Sequence, residues 1–176
     1  MESAVNSSFV HIGPDHYLDL ENADAISKAD VLAAWERAYT DLERELAGKA
    51  SVATLYVVFG IQGSGKSTWI RENAARVGHA AIFFDGPLPS SAKRARALEL
   101  AARHGVKTVA VWLNTPLEIA MRRNAGRKGL AVIKTEAILH VHNALEAPTL
   151  EEGFAEVIVV DGNAAAGGQE RRKLLP

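Results

Sequence analysis

The sequence predicts an α/β protein built on a mainly parallel sheet. Short apolar runs rich in β-branched and aromatic residues suit strands buried on both faces, as in Thr54-Leu-Tyr-Val-Val-Phe59 and Val157-Ile-Val-Val160. Segments of helical period alternate with them. One such strand meets its helix through a glycine-rich turn, Gly60-Ile-Gln-Gly-Ser-Gly-Lys-Ser-Thr68.

Along the chain, Phe9-Val-His-Ile12 reads as a short first strand closed by Gly13-Pro14-Asp15. A helix begins near Ser27, where Ser27 and Asp30 resemble a capping box with Asp in place of Glu. Val31, Trp35, Ala38, Leu42 and Leu46 give it one apolar face, and Gly48 ends it. After the glycine-rich turn, Trp69–Val77 continues a helix that stops before Gly78. Ala80-Ala-Ile-Phe-Phe84 is a further buried strand, and Asp85-Gly-Pro-Leu-Pro89 a loop. Ser90 or Ser91 caps a helix running to His104, and Val106–Leu113 is the next strand. Thr115-Pro-Leu-Glu118 is a helix start, with a cap, a proline in the first turn and a glutamate three after the cap. Another helix spans roughly 135–146, and Val157–Val160 is the last strand. The tail 162–176, with Arg171-Arg-Lys173, reads as flexible. The expected organisation is one domain: an N-terminal strand and helix over 9–48, a core over 54–160, and the tail.

The glycine-rich turn matches G-x-x-x-x-G-K-[ST] at every fixed position. Gly60, Gly63 and Gly65 allow a tight turn and a close approach to phosphate. The N–H groups of Ser64 and its neighbours then converge on phosphate oxygens at a helix N-terminus. Lys66 places a charge at the outer phosphates, Ser67 offers a hydroxyl to Mg²⁺, and Thr68 completes the set. With this loop at the centre of alternating strands and helices, the predicted architecture is a three-layer P-loop NTPase fold of the kinase-like kind.

Composition narrows the function. The 176 residues include no cysteine, which excludes disulfides, cysteine-ligated zinc and cysteine nucleophiles. The net charge of −1 gives no global electrostatic footprint for nucleic acid. No apolar run is long enough to span a membrane, and the N-terminus lacks a basic-then-apolar signal, so a cytoplasmic protein is expected.

Phosphoryl transfer needs a carboxylate near the acceptor, another near Mg²⁺, and cations on the transferring group. Asp85 and Asp161 each end an apolar strand. Sheet geometry favours Asp85, because ligands gather at strand carboxyl ends; the alternative is a turn residue before Gly86-Pro87. Arg123 and Arg127 are four apart and can face one way, with a solvated basic face as the alternative. His140 and His142 point to different helix faces, the histidines read as incidental, and no zinc is expected. Trp69 and Trp112 read as packing residues.

Gly63–Arg71, Arg94, Thr115–Glu118 and Arg123-Asn-x-x-Arg127 together resemble the kinase domain of phage-type polynucleotide kinases. Glu146-Ala-Pro-Thr-Leu-Glu-Glu-Gly-Phe154 is similar to a segment of the eukaryotic 5′-hydroxyl polynucleotide kinases. The wider group includes zeta-toxin-like kinases, which phosphorylate nucleotide sugars. The resemblance covers roughly 55–160 and implies an ATP- and Mg²⁺-dependent kinase with Arg123 and Arg127 in a lid. Two departures stand out. Ile133 replaces a proline usual in that group, and Trp69–Val77 leads almost directly into Ile82-Phe-Phe-Asp85. In the group, an aspartate-bearing strand and substrate-site helices intervene at that point. Val10-His-Ile-Gly-Pro-Asp15-His-Tyr17 and the Trp35 helix resemble that missing piece, moved to the front. Asp15 is then the candidate general base; the alternative is an ordinary N-terminal arm with a Pro-Asp turn.

The expectation is a kinase moving the γ-phosphoryl of ATP to a hydroxyl of a nucleic-acid end, nucleoside or nucleotide-sugar type acceptor, with Mg²⁺ and without a stable protein partner. The competing reading is a non-catalytic or regulatory ATP-binding or NTPase module.

Overall fold

Strand pairing in this protein follows from runs that are apolar on both faces. The computed structural model describes residues 9–20, 25–49, 53–77, 80–127 and 132–162, and the backbone of 171–174. Six strands form one sheet in the order β1-β3-β2-β4-β5-β6. They are β1 (Val10–Ile12), β2 (Thr54–Phe59), β3 (Ala81–Gly86), β4 (Lys107–Asn114), β5 (Glu156–Asp161) and β6 (Arg171–Leu174). The first five are parallel, and β6 pairs antiparallel with β5. Parallel strands need both faces covered, and both are. Leu55, Val57, Phe59, Ile82 and Phe84 pack under α1 (Lys28–Gly48) and α3 (Ser91–Arg103). Val58, Phe83, Val109, Val111 and Leu113 pack against Trp69, Ile70 and Ala74 of α2 (Lys66–Val77). The result is the three-layer α/β arrangement the sequence predicts.

The caps explain where helices start. Ser27 Oγ accepts from the Asp30 N–H while Asp30 accepts from the Ser27 N–H, so the Asp variant of the capping box is intact. Ser90 caps α3 through the Lys93 N–H. The start of α4 (Leu117–Ala125) differs from the sequence expectation. Pro116 is its cap, and the Thr115 hydroxyl donates to the Ser64 carbonyl in the phosphate loop instead. That bond ties α4 to the loop, a long-range gain that a local cap would forgo. α5 runs from Thr135 to Asn143, shorter than expected.

The tail is also corrected in part. Arg171–Leu174 is a strand, because the outer edge of β5 offers a ladder of unpaired backbone groups to whatever follows it. The rest of the tail, the Gly78 stop and the Lys128–Gly129 part of the basic segment lie outside the described residues. Among the described residues no helix is long and apolar enough to cross a membrane.

Candidate active site

At the carboxyl ends of β2 and β3 lies a cleft of about 210 Å³. The loop from β2 to α2 forms its floor. Gly60, Gly63 and Gly65 all adopt positive φ, at 149°, 84° and 99°. At Gly63 the glycine is doubly required, since a Cβ would lie 2.4 Å from the Ala120 carbonyl oxygen of α4. Gly63, Gly65, Lys66, Ser67 and Thr68 line the cleft. Gly60 and Ser64 support it from behind: Gly60 packs under the Leu113 carbonyl, and Ser64 is fully buried.

The Ser64 carbonyl is held from the rear by Thr115 Oγ1 at 3.0 Å and Arg123 Nη1 at 3.4 Å. No peptide here is cis, so the Gly65 N–H points opposite to that carbonyl, away from Thr115. The loop also leaves Gln62 Oε1 and Ser64 Oγ buried without hydrogen-bond partners. Lys66 Nζ donates to the carbonyls of Gly60 and Ile61, at 3.0 and 3.1 Å. Burial lowers its pKa, against the pull of Asp85 and Asp15.

Two carboxylates face this lysine from different parts of the chain. Asp85 ends β3. Asp15 sits in a 3-10 turn, Pro14–Tyr17, that follows β1, and both line the cleft. The structure therefore places Asp15 on the same side of the sheet as Lys66. Asp15 is exposed at the rim, yet the cleft walls desolvate its carboxyl, and this is the main reason its pKa is raised. The like charge of Asp85 raises it further, while Lys66, His16 and Arg127 pull it down. Helix α1 supports the turn. The Tyr17 hydroxyl donates to the Asp41 carboxylate, and the Trp35 ring packs on Gly86 so closely that a Cβ there would meet it at 2.6 Å. Trp35 stands behind the cleft wall at Gly86 and is not among the residues that line it.

The two arginines expected in a lid separate. Arg127 lines the cleft with Ile133. Arg123 instead bonds backbone, giving Nη1 to Ser64 O and Nη2 to Gly162 O at 3.0 Å. Asn124 lies between them, buried, and its amide pairs with both backbone groups of Ile133, at 2.8 and 2.9 Å. Arg122 is exposed and outside the cleft, as is Asp161. Arg94 is fully buried away from it. Its guanidinium pairs bidentately with Glu152 at 2.7 Å, reaches the carbonyls of Leu88, Pro89 and Glu146, and lies over Phe59.

Sequence reading missed His11, whose Nε2 lies 2.8 Å from Asp85 Oδ1. A lone histidine in a three-residue strand carries no local signal; only the pairing of β1 beside β3 brings it there. It also missed Asn124 as the clamp between α4 and the Ile133 backbone.

This geometry, a glycine loop between a central parallel strand and a helix with lysine at the helix start, decides the fold. It is a P-loop NTPase fold. Comparisons agree with that. A family model described as an AAA domain matches residues 72–149, under half of the chain and starting just beyond the loop. No curated protein matches. Solved structures are similar in fold. The native AvrRxo1-ORF1:-ORF2 complex superposes with a TM-score of 0.51 at 12% identity, over 92% of this chain and 71% of that one. AvrRxo1-ORF1:AvrRxo1-ORF2 with ATP gives 0.51 and 12%, over 88% and 69%. These neighbours are assemblies of two proteins, so they lend no support to the expectation that this chain has no stable partner.

The cleft suits a nucleoside triphosphate with Mg²⁺. Among the described residues no group of three or more His, Asp or Glu gathers to hold a metal alone. Mg²⁺ that arrives with phosphates needs only one or two protein ligands, and Ser67 and Asp85 line the same cleft.

Proposed function

We propose that this protein is an ATP-dependent phosphotransferase that moves the γ-phosphoryl group to a hydroxyl of a nucleic-acid end, nucleoside or nucleotide-sugar type acceptor. One observation carries the reading: Asp15, from the N-terminal segment, lines one cleft with Lys66 and Asp85. A loop that only bound nucleotide would need no second carboxylate there. In this reading the loop amides and Lys66 hold the β- and γ-phosphates, and Arg127 closes from the lid. Arg123 acts by fixing the loop, through the Ser64 carbonyl. Asp15 accepts the acceptor's hydroxyl proton as its oxygen bonds to the γ-phosphorus, and the bond from that phosphorus to the bridging oxygen breaks to release ADP. A raised pKa brings Asp15 nearer the range useful to a general base. Ser67 and Asp85 would hold Mg²⁺, which supplies charge neutralisation on the triphosphate.

The resemblance to polynucleotide and zeta-toxin-like kinases then reads as a rearranged one. α2 leads straight from β2 to β3, while β1 takes the free edge beside β3. An aspartate strand inserted between α2 and β3 would have reached that edge position. Residues 9–48 thus serve as the substrate segment of a single unit.

Phosphate transfer from labelled ATP to 5′-hydroxyl oligonucleotides, nucleosides and nucleotide sugars tests this. Lys66→Ala should cost on the order of 10²–10³ in turnover. Asp15→Asn should lose acceptor phosphorylation and keep ATP binding. ATP hydrolysis that ignores every acceptor and survives Asp15→Asn would favour an NTPase module instead.

A further inference from the structure

The carboxylate of Asp85 is fixed by the chain's N-terminal strand. β1 pairs in parallel with β3, His11 opposite Phe83 and Ile12 opposite Phe84. Side chains alternate along a strand, so Phe83 and Asp85 point to the same face. That is the α2 face, since Phe83 packs with Trp69 there. His11 shares it and reaches diagonally forward, so Nε2 meets Asp85 Oδ1 at 2.8 Å. The pair is largely buried, with side-chain exposures of 22% and 15%. Gly13 is the other half of the device. A Cβ at Gly13 would lie 2.3 Å from the same Oδ1 atom, so only glycine leaves room for the carboxylate. His16, next to Asp15, packs its ring edge-on against His11 at 4.6 Å and braces the imidazole.

We propose that His11 is a positioning residue: with Gly13 making room, it holds Oδ1 of Asp85 and so orients the carboxylate toward the phosphate-loop cleft. The role rests on the phosphotransferase reading and adds to it. An unheld aspartate at a strand end can rotate among its side-chain conformers. Donating from Nε2 to Oδ1 opposes that rotation. The N-terminal segment then does two things: it brings Asp15 and it sets Asp85.

The test compares His11→Leu, which removes the donor, with His11→Gln, whose amide nitrogen reaches about where Nε2 lies. Mn²⁺ binding in the presence of ATP, read by electron paramagnetic resonance, is measured beside metal-free ATP binding and kcat and KM. His11→Leu should weaken Mn²⁺ binding by about tenfold or more, the usual range for partners that orient a metal's ligands. It should lower kcat and leave metal-free ATP binding unchanged. His11→Gln should recover most of both losses. Gly13→Ala, which leaves His11 in place, should reproduce the Mn²⁺ defect. Parental Mn²⁺ affinity in His11→Leu would overturn the role, as would His11→Gln behaving like His11→Leu, which marks a packing residue. If the parent protein binds Mn²⁺ no better with ATP than without, the phosphotransferase reading falls and this role with it. If the parent does and only the variants fail to differ, the positioning role alone falls.

Discussion

At the residue scale, the carboxyl of Asp15 holds its proton more readily than a free aspartate does. Desolvation by the cleft walls and the like charge of Asp85 raise its pKa above the ordinary 3.8. A carboxyl with a raised folded-state pKa binds its proton more tightly when folded. Stability therefore falls as pH rises through the interval between 3.8 and the raised value. Asp15→Asn removes the ionisation. Without nucleotide, the variant should melt at a higher temperature than the parent above that interval and at nearly the same temperature below it. Melting curves across pH check this. A gap independent of pH would mean that the asparagine acts through packing and that the carboxyl is not under strain.

At the scale of elements, α4 and the approach to α5 are joined through one side chain. Asn124 ends α4 with its amide clamped on the backbone of Ile133, just before α5. Asparagine suits the place because one amide both donates and accepts. Asp at this position accepts from the Ile133 N–H but sets an oxygen against the Ile133 carbonyl. Losing a satisfied buried pair costs about 1–3 kcal/mol, which shifts the equilibrium of this contact by roughly five-fold to a hundred-fold. Asn124→Asp should speed tryptic cleavage after Arg127 and raise the KM for ATP by a similar factor. Cleavage at the parental rate would show that other contacts, not the amide, hold α4 to α5. A second element-scale prediction separates the arginines. Arg127→Ala and Arg123→Ala should impair steady-state turnover more than Arg122→Ala. Arg127 lines the cleft, and Arg123→Ala releases the Ser64 carbonyl.

Across the whole molecule, Arg94 and Glu152 do a different job. The arginine is fully buried on α3 and its partner lies on the 3-10 turn before β5. Together they bind the 146–154 segment to α3, and Phe154 drops into the core beside them. Glu152→Ala leaves a buried charge without its partner, which costs about 3–5 kcal/mol. Urea unfolding should show that loss, while ATP affinity of the folded fraction stays parental. A weakened ATP affinity in fully folded protein would connect this clasp to the cleft.

Much of the molecule was legible in one dimension. The phosphate loop, the strands on either side of it and the Ser27 and Ser90 caps depend on neighbours a few residues apart, so spacing alone shows them. The place of Asp85 in the cleft was legible too, since ligands gather at the carboxyl ends of parallel strands. What spacing cannot show is which distant groups meet. Thr115 read as a cap and turned out to hold the loop, because its hydroxyl finds Ser64. Arg123 and Arg127 read as one pair, and backbone carbonyls draw Arg123 away. His11 read as incidental, and the register of β1 on β3 places it against Asp85. The sequence by itself determined the fold class and the phosphate floor, because both are written in local backbone chemistry. Only the tertiary structure decided that an N-terminal aspartate shares the cleft with the loop lysine. Strand order is set by how whole faces are buried, and no short window of residues contains it.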